Sequence, residues 1–380
     1  MANIIIDPTG DIRLDLPATP KESPLPSPLA PPSKSTDGAA SSTADSDSET
    51  APDTPQRTYL RVSSKILSLA SPVFKTMLSG SFREASDFTA HNLKSPTSSE
   101  KFTLSFPEDD ATAMTLLLRI LHFDYDNVQA RPTPKLLEQL AFLTDKYQCM
   151  HVLKFCGVLW VREWIQQSIE FLQVEDAARV LVFTYVAGLE TEFQDVAWLI
   201  LLHHKGPIWG EKSEVKMLVD HPLLRHDVAA LMDQRRSEMC EAFHKAMMAP
   251  LSETSNWASI DKGCFYAAKL IGAYVKRLTT AGLTPYDLAF SENSMSALVG
   301  KAEKLATTEM PSGCTMYRCP CRQEPQTPNL AERLKLTAIA LTKLEREFIC
   351  LKCIKTGGKS KTEGDCKGHD MDVSLARYCA

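Results

Sequence analysis

Four residues near the C-terminus have the types and spacing of a metal site. Cys350-Leu-Lys-Cys353 and Cys366-Lys-Gly-His369 form a C-x2-C and a C-x2-H separated by twelve residues. Each short pair can bring two donors to one tetrahedral ion, and two pairs supply the four sulfur and nitrogen ligands of a closed, structural Zn²⁺ site. Glycines 357, 358, 364 and 368 permit the tight backbone that such a fold needs. The competing reading is a Lys/Gly-rich tail with incidental thiols. A second ligand set would draw on Cys319 and Cys321. Seven of the chain's 11 cysteines follow residue 313. Cys149, Cys156, Cys240 and Cys264 are scattered and are expected to be buried structural thiols. His203 and His204 are adjacent and should point to different faces of a helix. His226 and His244 lie too far apart on one helix to share a ligand.

Other chemistry is missing by motif. The chain has no HExxH, GxSxG or GxGxxG. Gly358-Lys359-Ser360 resembles the end of a phosphate-binding loop, but the earlier glycine position is Cys353. No catalytic or small-molecule cofactor site is expected. The net charge of −5 lacks the basic footprint of a nucleic-acid binder. The opening residues, MANIIIDPTGD, lack the charged and apolar regions of a secretory signal, and no apolar run approaches a bilayer span. These features predict a cytoplasmic or nuclear chain with reduced thiols.

The elements that would position such residues follow from periodicity. Residues 4–16 predict a β-hairpin turned at Asp7-Pro8-Thr9-Gly10. Residues 17–56 hold nine of the 23 prolines and no aromatic residue, which predicts a disordered insert. Its DSDSE run, residues 45–49, reads as a solvated acidic linker. From Thr58, TYLRV predicts a strand leading into a helix over 63–70. Ser71-Pro72 opens a second helix, because proline fits the first helical turn. KFTLSF (101–106) alternates as a strand does. Asp109 or Asp110 should cap a helix burying Met114, Leu117, Leu118 and Leu121. The next helix starts at Thr133-Pro134 and buries Leu136, Leu140, Leu143 and Tyr147. Another buries Val152, Leu153, Cys156, Leu159 and Trp160. Beyond these, helices are expected over 175–187, 190–203, 221–248, 261–280, 293–307 and 329–348.

This order of strand, helical hairpin, strand, helix and helix pair resembles the BTB/POZ domain. TYLRVSSKILSLASPVFKTMLSGSFREAS carries the resemblance, with LAxSPVFxxM at 69–77, PEDDATAMTLLLRILHFDYDNV, and TDKY at 144–147. Within that family the chain resembles filamentous-fungal BTB proteins, which carry a long helical C-terminal region. The resemblance implies an α+β fold: a small sheet with helical hairpins over 1–16 and 57–164, then a mostly α-helical region. That region divides into a helical domain (165–310) and a Cys-rich segment with a long helix (311–380). It also implies a non-catalytic interaction module, often a homodimer. Phe82-Arg83-Glu84 matches the hydrophobic-x-Glu motif by which family members dock the cullin scaffold of ubiquitin ligases. A second reading is a transcriptional or chromatin regulator acting through protein partners. The family's acidic residue on the first strand corresponds to Asp11. Its His-basic pair is replaced by Ser63 and Ser64, with Lys65 one place later. No nucleic acid, membrane or small-molecule partner is implied.

Overall fold

The computed structural model describes residues 2–17, 57–94, 101–168, 172–255, 265–306 and 351–356. The insert at 17–56, apart from Pro17 itself, and the helix expected over 329–348 lie outside the described residues. The chain forms two compact units. One comprises Met1–Gln129 with Lys146–Cys149, the other Ala130–Asp145 with Met150–Ala380.

The first unit is built on a four-stranded mixed sheet. Its strands are β1 (Ala2–Ile5), β2 (Ile12–Pro17), β3 (Arg57–Val62) and β4 (Phe102–Ser105). The sheet order is β1-β3-β2-β4. β3 runs antiparallel to β2 and parallel to β1, while β4 runs parallel to β2. The expected hairpin over 4–16 is therefore corrected. Its turn forms, with the Gly10 N–H donating to the Asp7 carbonyl at 3.0 Å. The two strands that it joins do not pair, because β3 takes the place between them. Burial alternates along β2: Ile12, Leu14 and Leu16 are buried, while Arg13 and Asp15 are half-buried. That is the period-2 pattern of a sheet with one core face.

Helices cover the core face. α1 (Ser64–Ala70) and α2 (Pro72–Ser79) form the expected hairpin, with Ser71 ending one and capping the other. The Ser71 hydroxyl accepts the Phe74 N–H at 3.0 Å and donates to the Tyr147 carbonyl at 2.6 Å. α3 (Arg83–Lys94) was not expected. α4 (Ala111–Leu121) is capped by Asp110, whose carboxylate accepts the Ala113 N–H at 2.8 Å. Met114, Leu117, Leu118 and Leu121 are buried on it, as expected.

The second unit is helical. α5 is Pro134–Lys146 (Lys146 itself belongs to the first unit), α6 Lys154–Ser168, α7 Val174–Ala187 and α8 Glu190–His203. α9 is Asp227–Ser255, α10 Phe265–Thr280, α11 Tyr286–Glu292, α12 Met295–Ala306 and α13 Leu351–Thr356. α7 is the centre: every residue from Val180 to Ala187 is buried. α6 approaches it at Gly157, where a Cβ would meet Phe183 at 3.2 Å and Leu189 at 3.1 Å. Leu159, expected on the buried face of α6, is 55% exposed. α9 begins six residues later than expected, because His221 is held in a turn. Its Nε2–H donates to Glu138 at 3.2 Å, and its Nδ1 accepts the Leu223 N–H at 3.2 Å. Arg179 approaches the other oxygen of Glu138 at 3.4 Å.

Candidate functional site

Phe82, Arg83 and Glu84 stand where α2 passes into α3. Gly80 ends α2, and its backbone lies so close to the preceding turn that a Cβ would meet the Thr76 carbonyl oxygen at 2.4 Å. The Phe82 carbonyl accepts the Ser86 N–H at 3.2 Å, which starts α3 and leaves the Phe82 side chain outside it. Phe82 is 56% exposed. Glu84 lies in the first turn, where the helix dipole favours a carboxylate. Arg83 pairs with Asp87 one turn on, at 3.5 Å, and both are exposed. The three residues of the motif are therefore together on one surface, with the aromatic ring uncovered.

Two adjoining grooves lie along this segment, and Phe82 lines the first of them. One, of about 450 Å³, is lined by Pro72, Val73, Thr76, Met77, Phe82 and Glu84 among others. The second, of about 510 Å³, shares Val73, Met77 and Glu84 and continues past Phe106 and Glu108 along β4. The floor is rigid. Phe74 stacks on Tyr147 with centroids 4.3 Å apart, and Phe106 meets both rings edge-on. The Tyr147 hydroxyl donates to the buried Asp109, whose other oxygen takes Lys146 at 2.7 Å. Burial, then the Asp109 carboxylate, pushes the Tyr147 phenol far above its ordinary range. The sequence singled out TDKY but treated Asp109 only as a cap candidate. The structure assigns capping to Asp110 and the buried bond to Asp109.

No protein-family model, curated protein or solved structure matches the chain.

Of the four zinc candidates, Cys350, Cys366 and His369 lie outside the described residues. The backbone of Cys353 lies within α13. The segment that the sequence offered as a metal-binding turn is helical there, with Leu351 and Ile354 buried. Among the described residues, no group of three or more His, Cys, Asp and Glu side chains converges. Cys149 is buried, and burial pushes its thiol up to about 12. Burial also raises Cys156 and Cys240, so these thiols are less nucleophilic than a free one. Cys264 is outside the described residues. His204 is buried and His203 half-buried, and burial lowers both pKa values. No described helix is long and apolar enough to cross a membrane.

Proposed function

We propose that this chain is a non-catalytic adaptor whose N-terminal part, 1–16 with 57–164, is a BTB/POZ domain. In this reading the helical region, 165–310, recruits a client, and the protein acts in the cytoplasm or nucleus. The observed order β3, α1–α2, β4, α4, α5–α6 agrees with the order that suggested the family, with α3 added between α2 and β4. Asp11 supports a departure from the family's central charged pocket. Its carboxylate accepts the Ser64 N–H at 2.8 Å and the Ser64 hydroxyl at 2.6 Å, which fits the reading of Ser64 as standing where the family has a basic residue.

The exposed Phe82 ring beside an apolar groove carries the docking reading. An aromatic anchor with a nearby carboxylate is the pattern of an interface hot spot. The partner proposed is a cullin, with self-association of the BTB domain as the other use of the same module. The test is titration calorimetry of the full chain against a cullin N-terminal domain. Phe82→Ala is expected to weaken binding by about 2 kcal/mol or more, and Glu84→Ala to weaken it less, with unchanged circular dichroism. Equal affinity in both variants, or no binding by the parent, would overturn cullin docking.

A further inference from the structure

The face of the sheet away from the helices carries an unusual set of charges. Arg13 on β2 stands directly opposite Arg61 on β3 in the antiparallel register. Like charges directly opposed across a strand pair are destabilising. Arg57 and Tyr59 lie on the same face of β3, where Tyr59 and Arg57 oppose Asp15 and Pro17 on β2. The alternation of burial along β2 and β3 places these side chains on the half-buried side.

The face is only partly neutralised. Asp15 is taken up by Arg57. Arg13 spreads over the Tyr59 ring at 4.7 Å from its centroid, and its Nε donates to the Thr103 hydroxyl at 3.1 Å. Among the described residues it has no ion pair. Arg61 donates through Nε to the Gly10 carbonyl at 3.0 Å. Asp7, which interacts electrostatically with Arg61, uses one carboxylate oxygen to accept the Thr9 N–H and hydroxyl, each at 2.7 Å. Ile5, opposite Arg61 on β1, is 55% exposed and adds an apolar border.

We infer that this half-buried sheet face docks an acidic, extended segment of a partner protein, whose carboxylates sit against the guanidiniums of Arg13 and Arg61. Charge complementarity selects this occupant. The guanidinium fork suits carboxylates, which it can bind through two parallel bonds. Three arginines on a chain of net charge −5 are too small a footprint to hold a nucleic acid backbone. Neither Arg13 nor Arg61 lines the grooves beside Phe82, although Thr103, the partner of Arg13, borders the second of them.

The probe is a fluorescein-labelled peptide, Ac-Glu-Val-Glu-Val-Glu, titrated with the full chain by anisotropy. Its lysine counterpart and a ten-nucleotide single strand serve as comparisons. Saturable binding of the acidic peptide that weakens with added salt is expected. Arg13→Gln with Arg61→Gln should reduce the affinity at least tenfold. Each single change should do part of this, with the circular dichroism spectrum unchanged. Phe82→Ala should leave peptide binding unchanged, which separates this surface from cullin docking. Absence of binding, binding indifferent to both arginines, or tighter binding of the oligonucleotide would overturn the inference.

Discussion

The imidazole of His122 sits between two backbone groups of opposite polarity. The Leu118 carbonyl, 2.8 Å from Nδ1, can only accept, so Nδ1 carries the proton. The Ser63 N–H, 3.0 Å from Nε2, can only donate, so Nε2 must keep its lone pair. The ring therefore ties the cap of α1 to the end of α4 only when neutral. Burial lowers its pKa, against the opposing pull of the Leu118 bond and of Asp7 and Asp124. The sign follows from linkage. A histidine whose folded pKa lies below its unfolded value contributes stability that is complete above about pH 6.5 and is lost as pH falls through the folded value. His203 and His204 act in the same direction. The prediction is that the urea midpoint falls between pH 7 and pH 5, and falls less in His122→Gln than in the parent. Equal decreases in the two proteins would show that His122 is not one of the titrating groups. Nothing in the sequence marked His122. Its role depends on Ser63, 59 residues away, and on a carbonyl that no side-chain pattern reports.

At the scale of elements, the helices with strong apolar periodicity were legible and those without it were not. α4 begins at one of its two expected caps and α7 falls close to its expected bounds, because each buries a stripe or a whole surface and has a recognisable cap at one end. Gly188 is such a cap. It adopts φ 68°, in the left-handed region, and the Leu189 N–H donates to the Thr184 carbonyl at 3.0 Å. A Cβ there would meet only the Lys355 ammonium at 3.8 Å, so the cost of a side chain lies in the backbone. Gly188→Ala is expected to lower stability by roughly 1–2 kcal/mol. Gly300, inside α12 with open space around it, should gain from the same change by roughly 0.5–1 kcal/mol. Calorimetric midpoints that move the same way in both variants would contradict this account. α3 escaped the sequence reading for the converse reason: REASDFTAHNLK presents only Ala85 to the core. The hairpin over 4–16 failed because its turn was local and legible. The strand that separates its arms lies beyond residues 18–56.

For the whole molecule, the open question is how the C-terminal segment is held. α13 belongs to the second unit through contacts distant in sequence. Leu351 and Ile354 are buried, Arg225 donates to the Ile354 carbonyl at 2.8 Å, and the Lys355 ammonium lies 5.0 Å from the centre of the Tyr185 ring. Arg225 thereby satisfies a carbonyl at the helix end that has no partner within the helix. The four-ligand pattern in the sequence points to a structural metal after the last long helix. These contacts show that apolar burial and a guanidinium hold the first part of that segment. A zinc ion on Cys350, Cys353, Cys366 and His369 would then have a narrower task, tying residues beyond 356 back to a helix already in place. The prediction has two parts. Purified protein should contain one zinc per chain, and Cys353→Ser should abolish it. Chelation should make the chain beyond residue 356 sensitive to protease while amide protection in α7, α8 and α13 is unchanged, because their packing does not pass through the metal. Zinc content indifferent to Cys353→Ser would refute the ligand set. Loss of protection in α7 and α8 on chelation would instead show that the metal carries the fold of the second unit, and that the contacts of Arg225, Leu351 and Ile354 are its consequence.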